Sequence, residues 1–186
     1  MSSTPQEVLN TAIENATFWT SNLFDASTRE EAARLLKEGG DALIEPFYKD
    51  LDFGTGGMRG LMGVGTNRIN PYTLGVATQG LVAYARAELN KTNLKAAIAF
   101  DSRNNSQAYA RKVAEVLSAN GVETYVFEDL RPTPELSFAV RELGCDFGIV
   151  LTASPNPKEY NGYNVYWNDG GQLVPPPDKG VIPPVR

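Results

Sequence analysis

Histidine is absent from the 186 residues, and cysteine occurs once, as Cys145. Without histidine no side chain titrates near neutrality at its ordinary pKa, so the commonest general base and the commonest soft-metal ligand are both missing. One cysteine and no histidine exclude an internal disulfide and a zinc or copper site of the usual kind, and they fit a reducing compartment. Any metal would be a hard cation on oxygen ligands. No basic cluster occurs and the formal net charge is −5, which argues against nucleic acid and anionic membranes as partners. No apolar run is long enough to span a bilayer. The start, Met1 to Glu7, has neither the basic region nor the apolar core of a signal peptide. A cytoplasmic location is the default expectation.

What is present is an ordinary globular mixture, 42% hydrophobic and 21% charged, of a length that suits one domain. Thr4-Pro5 reads as a cap and first turn, and Val8, Leu9, Ile13 and Phe18 as the inward stripe of a helix. Ser27-Thr28-Arg29-Glu30 predicts a capping box for a second helix, with Ala32, Leu35 and Leu36 inward and Gly39-Gly40 as its end. These N-terminal helices cover 4–40. Asn70-Pro71 starts another helix through Leu74, Ala77, Leu81, Tyr84 and Ala85. Then come a strand over 95–100, a helix from Ser106 to Asn120, a strand over 124–127, a helix from Thr133 to Gly144, and a strand over 147–151. Strands alternating with helices predict βαβ units. The expected fold is therefore α/β: a single domain, three-layer α/β/α, with a mostly parallel sheet mixed at its edge. Residues 163–167 and 172–174 read as a hairpin at that edge. The α/β core spans 47–174, and the proline-rich 175–186 reads as a linker.

Candidate chemistry gathers at strand tips. Gly148 to Leu151 is an apolar run that gives way to Thr152-Ala153-Ser154-Pro155-Asn156-Pro157. Proline cannot extend a ladder and steers the preceding residue away from helix, so Ser154 is expected on a stiff loop at a strand's carboxyl end. In open α/β sheets that is where ligands bind. Asp101-Ser102-Arg103 occupies a second such tip. Asp52 to Gly60 is glycine-dense; with Gly56 and Gly57 it could converge backbone N–H groups on an anion, Arg59 adding a guanidinium fork, or it could be a tight turn only. A hydroxyl with two arginines points to phosphate chemistry on the serine.

The stretch Thr152 to Tyr163, together with Asp52 to Gly63, Asp101 to Ser106 and Arg131-Pro132-Thr133-Pro134, resembles the first domain of the α-D-phosphohexomutases, the phosphoglucomutase/phosphomannomutase family. The resemblance runs from about Phe47 to the tail. It implies a four-domain enzyme that interconverts hexose 1-phosphate and 6-phosphate through a phosphoserine and a bisphosphorylated sugar. Under it Ser154 is the phosphoserine and a Mg²⁺ ligand. Arg59 is catalytic, Arg103 steadies phosphate charge, Thr152 and Asn156 shape the loop, and Gly56 and Gly57 lie in the phosphate-binding segment. The implied partners are hexose phosphates and the remaining mutase domains. Two positions depart from the family pattern: Pro155 stands where it has histidine, and Asn164 where it has lysine. Its metal, sugar-recognition and distal phosphate loops have no match here. The chain thus reads as an isolated first domain, inactive or nearly so alone and prone to self-association through an exposed interdomain face. The alternatives are a non-catalytic module for sugar phosphates or a partner, and a purely structural domain, engineered or trimmed.

Overall fold

A computed structural model describes residues 4–173. The proposed linker 175–186 lies outside the described residues.

Three helices come first. Helix α1 (Pro5–Phe18) opens on a capping box between Thr4 and Glu7. It buries Ala12 and Ala16 and leaves Ile13 and Phe18 exposed. The expected stripe is thus rotated: small residues let α1 approach its neighbours closely, and the aromatic load passes to Trp19, which stacks on Phe24 at 4.6 Å between ring centroids. Helix α2 (Ala26–Glu38) is capped by Asp25, two residues before the expected Ser27. Asp25 wins because its carboxylate accepts from Thr28 N (2.9 Å) and from the Ser27, Thr28 and Tyr72 hydroxyls. Gly39 ends α2, but Gly40 opens a further short helix, α3 (Gly40–Phe47), that sequence reasoning missed. The layer closes around Trp19, Phe24, Leu43 and Phe47, with Tyr72 packed against it.

The rest is built on one five-stranded sheet: β1 (Gly57–Leu61), β2 (Lys95–Phe100), β3 (Glu123–Val126), β4 (Phe147–Leu151) and β5 (Tyr160–Trp167), in the order β1-β5-β4-β2-β3. Helix α4 (Pro71–Leu89) follows β1, α5 (Ser106–Ala119) follows β2, and α6 (Thr133–Glu142) follows β3. Alternation along the strands divides the core. Ala96, Ile98, Phe100, Phe147, Ile149 and Leu151 pack with Leu74 and Leu81 of α4 and Val113 and Leu117 of α5. Ala97, Ala99 and Val150 pack with Leu136, Ala139 and Val140 of α6. Helices therefore cover both faces, as the α/β reading requires.

The antiparallel part is wider than an edge hairpin. β2 pairs in parallel with β3 and β4, but β5 lies between β4 and β1, antiparallel to both. β5 is therefore interior, and β1, which glycine content argued against, takes the edge. A Cβ at Gly57 would run into the Tyr163 carbonyl oxygen, and one at Gly56 into the Gln172 side chain. Gly57 lets β1 lie close against β5, and Gly56 leaves room for the Gln172 side chain. Burial, and after it the neighbouring Asp146 carboxylate, push the Cys145 thiol up to about 11.

Candidate phosphoryl-transfer site

The parallel strands β2 and β4 deliver their carboxyl ends side by side: Phe100 pairs with Leu151, and Asp101 N donates to the Leu151 carbonyl at 3.2 Å. From there the chain makes the 152–159 loop and returns as β5. Ser154 stands exposed on it, the next peptide bond is cis, and Asn156 N closes a turn onto the Ala153 carbonyl at 2.7 Å. The serine hydroxyl has no hydrogen-bond partner among the described residues.

The two expected arginines meet the loop in different ways. Arg59, exposed on β1, donates from Nη1 to Asn156 Oδ1 at 3.1 Å. Arg103 reaches across from the β2 tip and donates to three loop carbonyls: Asn156 (2.6 Å), Pro157 (2.7 Å) and Tyr160 (3.3 Å). Its Nε faces Asp101 Oδ2 at 3.3 Å. A guanidinium engaged in this way steadies the loop backbone. Thr152 donates from Oγ1 to Asp101 Oδ2 (2.6 Å) and accepts from Ser154 N (3.2 Å). In the glycine segment Gly54 and Gly57 bond each other's backbone, and the Gly56 carbonyl accepts from Val165 N.

Ser154 opens onto a cleft of about 830 Å³ that Thr152, Asn156, Ser102 and the Arg131–Pro134 segment also line. Its charged lining is Arg103, Arg131 and Lys158 against Asp101 alone, a basic surface in an acidic chain. Arg131 is partly engaged, with Glu135 at 3.2 Å. Lys158 has no ion pair among the described residues. The sequence reading gave roles to neither of these cations nor to Asp101, although all three lie within the motifs it quoted. Asp101 takes Arg103 and Ser106 from its own neighbourhood, but its bond to Thr152 spans 51 positions, and no local pattern marks that link.

The position of the missing family lysine, Asn164, is turned to bracing. Its amide donates to the Thr152 carbonyl at 2.9 Å. The implied Mg²⁺ finds little here. It wants about six oxygen ligands, and no three acidic, cysteine or histidine side chains converge among the described residues. Asp101 is already surrounded by donors. Among the described residues, the side chains do not by themselves make a Mg²⁺ site.

The fold and the site together define an α/β/α domain with a basic cleft and an exposed hydroxyl at its strand tips. The particular family follows from comparison. Residues 50–183 match phosphoglucomutase/phosphomannomutase, alpha/beta/alpha domain I, and the chain belongs to that family. It is 38% identical to human phosphopentomutase over 162 residues, covering 83% of this chain and 26% of that protein. It is 38% identical to Staphylococcus aureus phosphoglucomutase over 151 residues, covering 74% and 27%. Among solved structures, a putative phosphomannomutase from Thermus thermophilus superposes with a TM-score of 0.61 at 30% identity, covering 73% of this chain and 30% of that one. The chain therefore spans about a quarter of the length of these curated relatives. No described helix is long and apolar enough to cross a membrane.

Proposed function

We propose that Ser154 accepts and returns a phosphoryl group in a sugar-phosphate mutase of which this chain forms the first domain. The observation that carries the reading is an exposed hydroxyl with no partner of its own, on a loop gripped by two arginines at the rim of a basic cleft. Phosphoryl transfer asks a protein mainly for positioning and charge stabilisation. In the step proposed, Ser154 Oγ attacks the phosphorus of a bisphosphorylated sugar. The Oγ–P bond forms, the sugar C–O–P linkage opens at phosphorus, and the serine proton ends on the departing sugar hydroxyl. Arg59 has donors left for the phosphate, and Lys158 lies nearby on the cleft wall. Thr152, Asn156 and Arg103 hold the loop. In the full enzyme Mg²⁺ and the sugar-recognition groups come from outside this chain, and hexose phosphates are the substrates.

Incubating the chain with glucose 1,6-bisphosphate and Mg²⁺ tests this by intact mass. One added phosphate is expected on Ser154, absent in Ser154→Ala, with no sustained conversion of glucose 1-phosphate to 6-phosphate. Failure to label, or labelling elsewhere, removes the serine from its role. Sustained mutase turnover would contradict the need for further domains. The likeness to a phosphopentomutase favours a second reading in which the sugar is a pentose; faster labelling from ribose 1,5-bisphosphate would select it.

A further inference from the structure

We infer that Asp101 is a positioning residue for Ser154, acting through Thr152, and that Arg103 completes the same brace from the other side of the loop. The inference rests on Ser154 being the phosphoryl acceptor, but its geometry stands apart from that reading.

Asp101 is met only by donors. Oδ1 accepts from Arg103 N at 2.9 Å and from Ser106 Oγ at 2.8 Å. Oδ2 accepts from Thr152 Oγ1 at 2.6 Å and faces Arg103 Nε at 3.3 Å. An ionised carboxylate suits all four at once; an amide or a protonated acid would set a donor against a donor. The consequence falls on Thr152. A hydroxyl has one proton, and here Asp101 takes it, so the lone pairs of Oγ1 are left to face outward. One of them accepts the Ser154 N–H. The backbone of Ser154 is thus fixed by a chain of hydrogen bonds rooted in the tip of a neighbouring strand. Ser106, the other hydroxyl on Asp101, accepts from the fully buried Asn161, whose Oδ1 takes Gly162 N. Asn161 and Gly162 belong to β5, so the carboxylate ties both ends of the loop to the tip of β2. Arg103, held in place by Asp101, closes the span on the carbonyls of Asn156, Pro157 and Tyr160. Since misplacing a reacting group by about 1 Å can cost about 10²-fold in rate, the brace bears on chemistry without touching the substrate.

The test uses the full 186-residue chain, glucose 1,6-bisphosphate with Mg²⁺ as the probe, and two readouts. One is the rate of phosphate gain on Ser154 by intact mass. The other is amide hydrogen exchange at Ser154 by NMR, which needs no phosphoryl transfer. Asp101→Asn is expected to speed exchange at Ser154 about tenfold or more and to slow labelling by about 10²-fold, while cooperative unfolding persists. Arg103→Ala is expected to slow labelling similarly and to regain part of the rate in millimolar guanidinium; a loss that is merely structural would not be rescued. A folded Asp101→Asn chain with wild-type exchange and labelling overturns the inference. If Asp101→Asn does not fold, unrescued Arg103→Ala overturns it. If the wild-type chain takes no phosphate while Asp101→Asn still loosens the Ser154 amide, the phosphoryl reading falls and the brace stands.

Discussion

At the scale of single residues, the proposed serine chemistry turns on the departures at Pro155 and Asn164. Proline offers no side-chain donor or acceptor, and the Asn164 amide is committed to the Thr152 carbonyl. No general base meets the Ser154 hydroxyl among the described residues. General acid–base assistance is typically worth about 10²–10⁴ in rate. Pro155→His places an imidazole next to Ser154, so on the proposed chemistry the labelling rate should rise by about 10²-fold. Its pH dependence should climb through about 6.5, the ordinary pKa of histidine, where the native chain shows no such step. An unchanged rate across that range would show that proton transfer is not what limits this serine. Residue chemistry is also where the sequence was least legible. Thr152 and Asn156 fall in a quotable motif, but the meaning of Asp101 depends on Thr152, 51 positions away. The loop carbonyls that Arg103 bonds lie more than 50 positions from it, so its bracing role was equally hidden.

At the scale of elements, legibility followed local pattern. β2, β4 and α5 declare themselves through continuous apolar runs, helical spacing and punctuating glycines. β1 does not, because Gly57 and Gly60 carry no strand preference; pairing with β5 makes it a strand. α3 was hidden by the glycine pair that ends α2 and by Pro46 within it. The start of α2 makes a measurable case. Hydrogen bonds from Ser27, then Tyr72, then Thr28 hold the Asp25 carboxyl well below its usual range. Since Tyr72 lies on α4, the cap also fastens the helical layer to the sheet domain. A carboxyl with a lowered folded pKa contributes stability above its unfolded pKa and loses it as acid protonates the folded state. Asp25→Ala should therefore cost about 1 kcal/mol near neutrality, the usual worth of a cap. The gap between the two chains should shrink as pH falls below about 4. Urea titrations of both chains from pH 7 to pH 3 check this; a gap that holds constant into acid would remove the carboxylate from the account.

At the scale of the whole molecule, apolar side chains are left on two regions of the surface. Phe18 and Leu23 stand out from the helical layer, and Leu130, Phe138 and Leu143 from α6 and its approach. Contiguous exposed apolar surface drives association. Sedimentation should show mass rising with concentration, and Phe138→Ser or Leu23→Ser should lower it. A strictly monomeric chain at high concentration would overturn the expectation.

The interior placement of β5 has one more consequence. Both legs of the serine loop, β4 and β5, are flanked on each side by another strand. A hairpin with a free outer edge can peel away; this one can move only if neighbouring ladders part with it. The loop is a deck laid between two piers sunk in the middle of the sheet. Whatever side chains line the rim, the two strands that carry the loop are held from both sides.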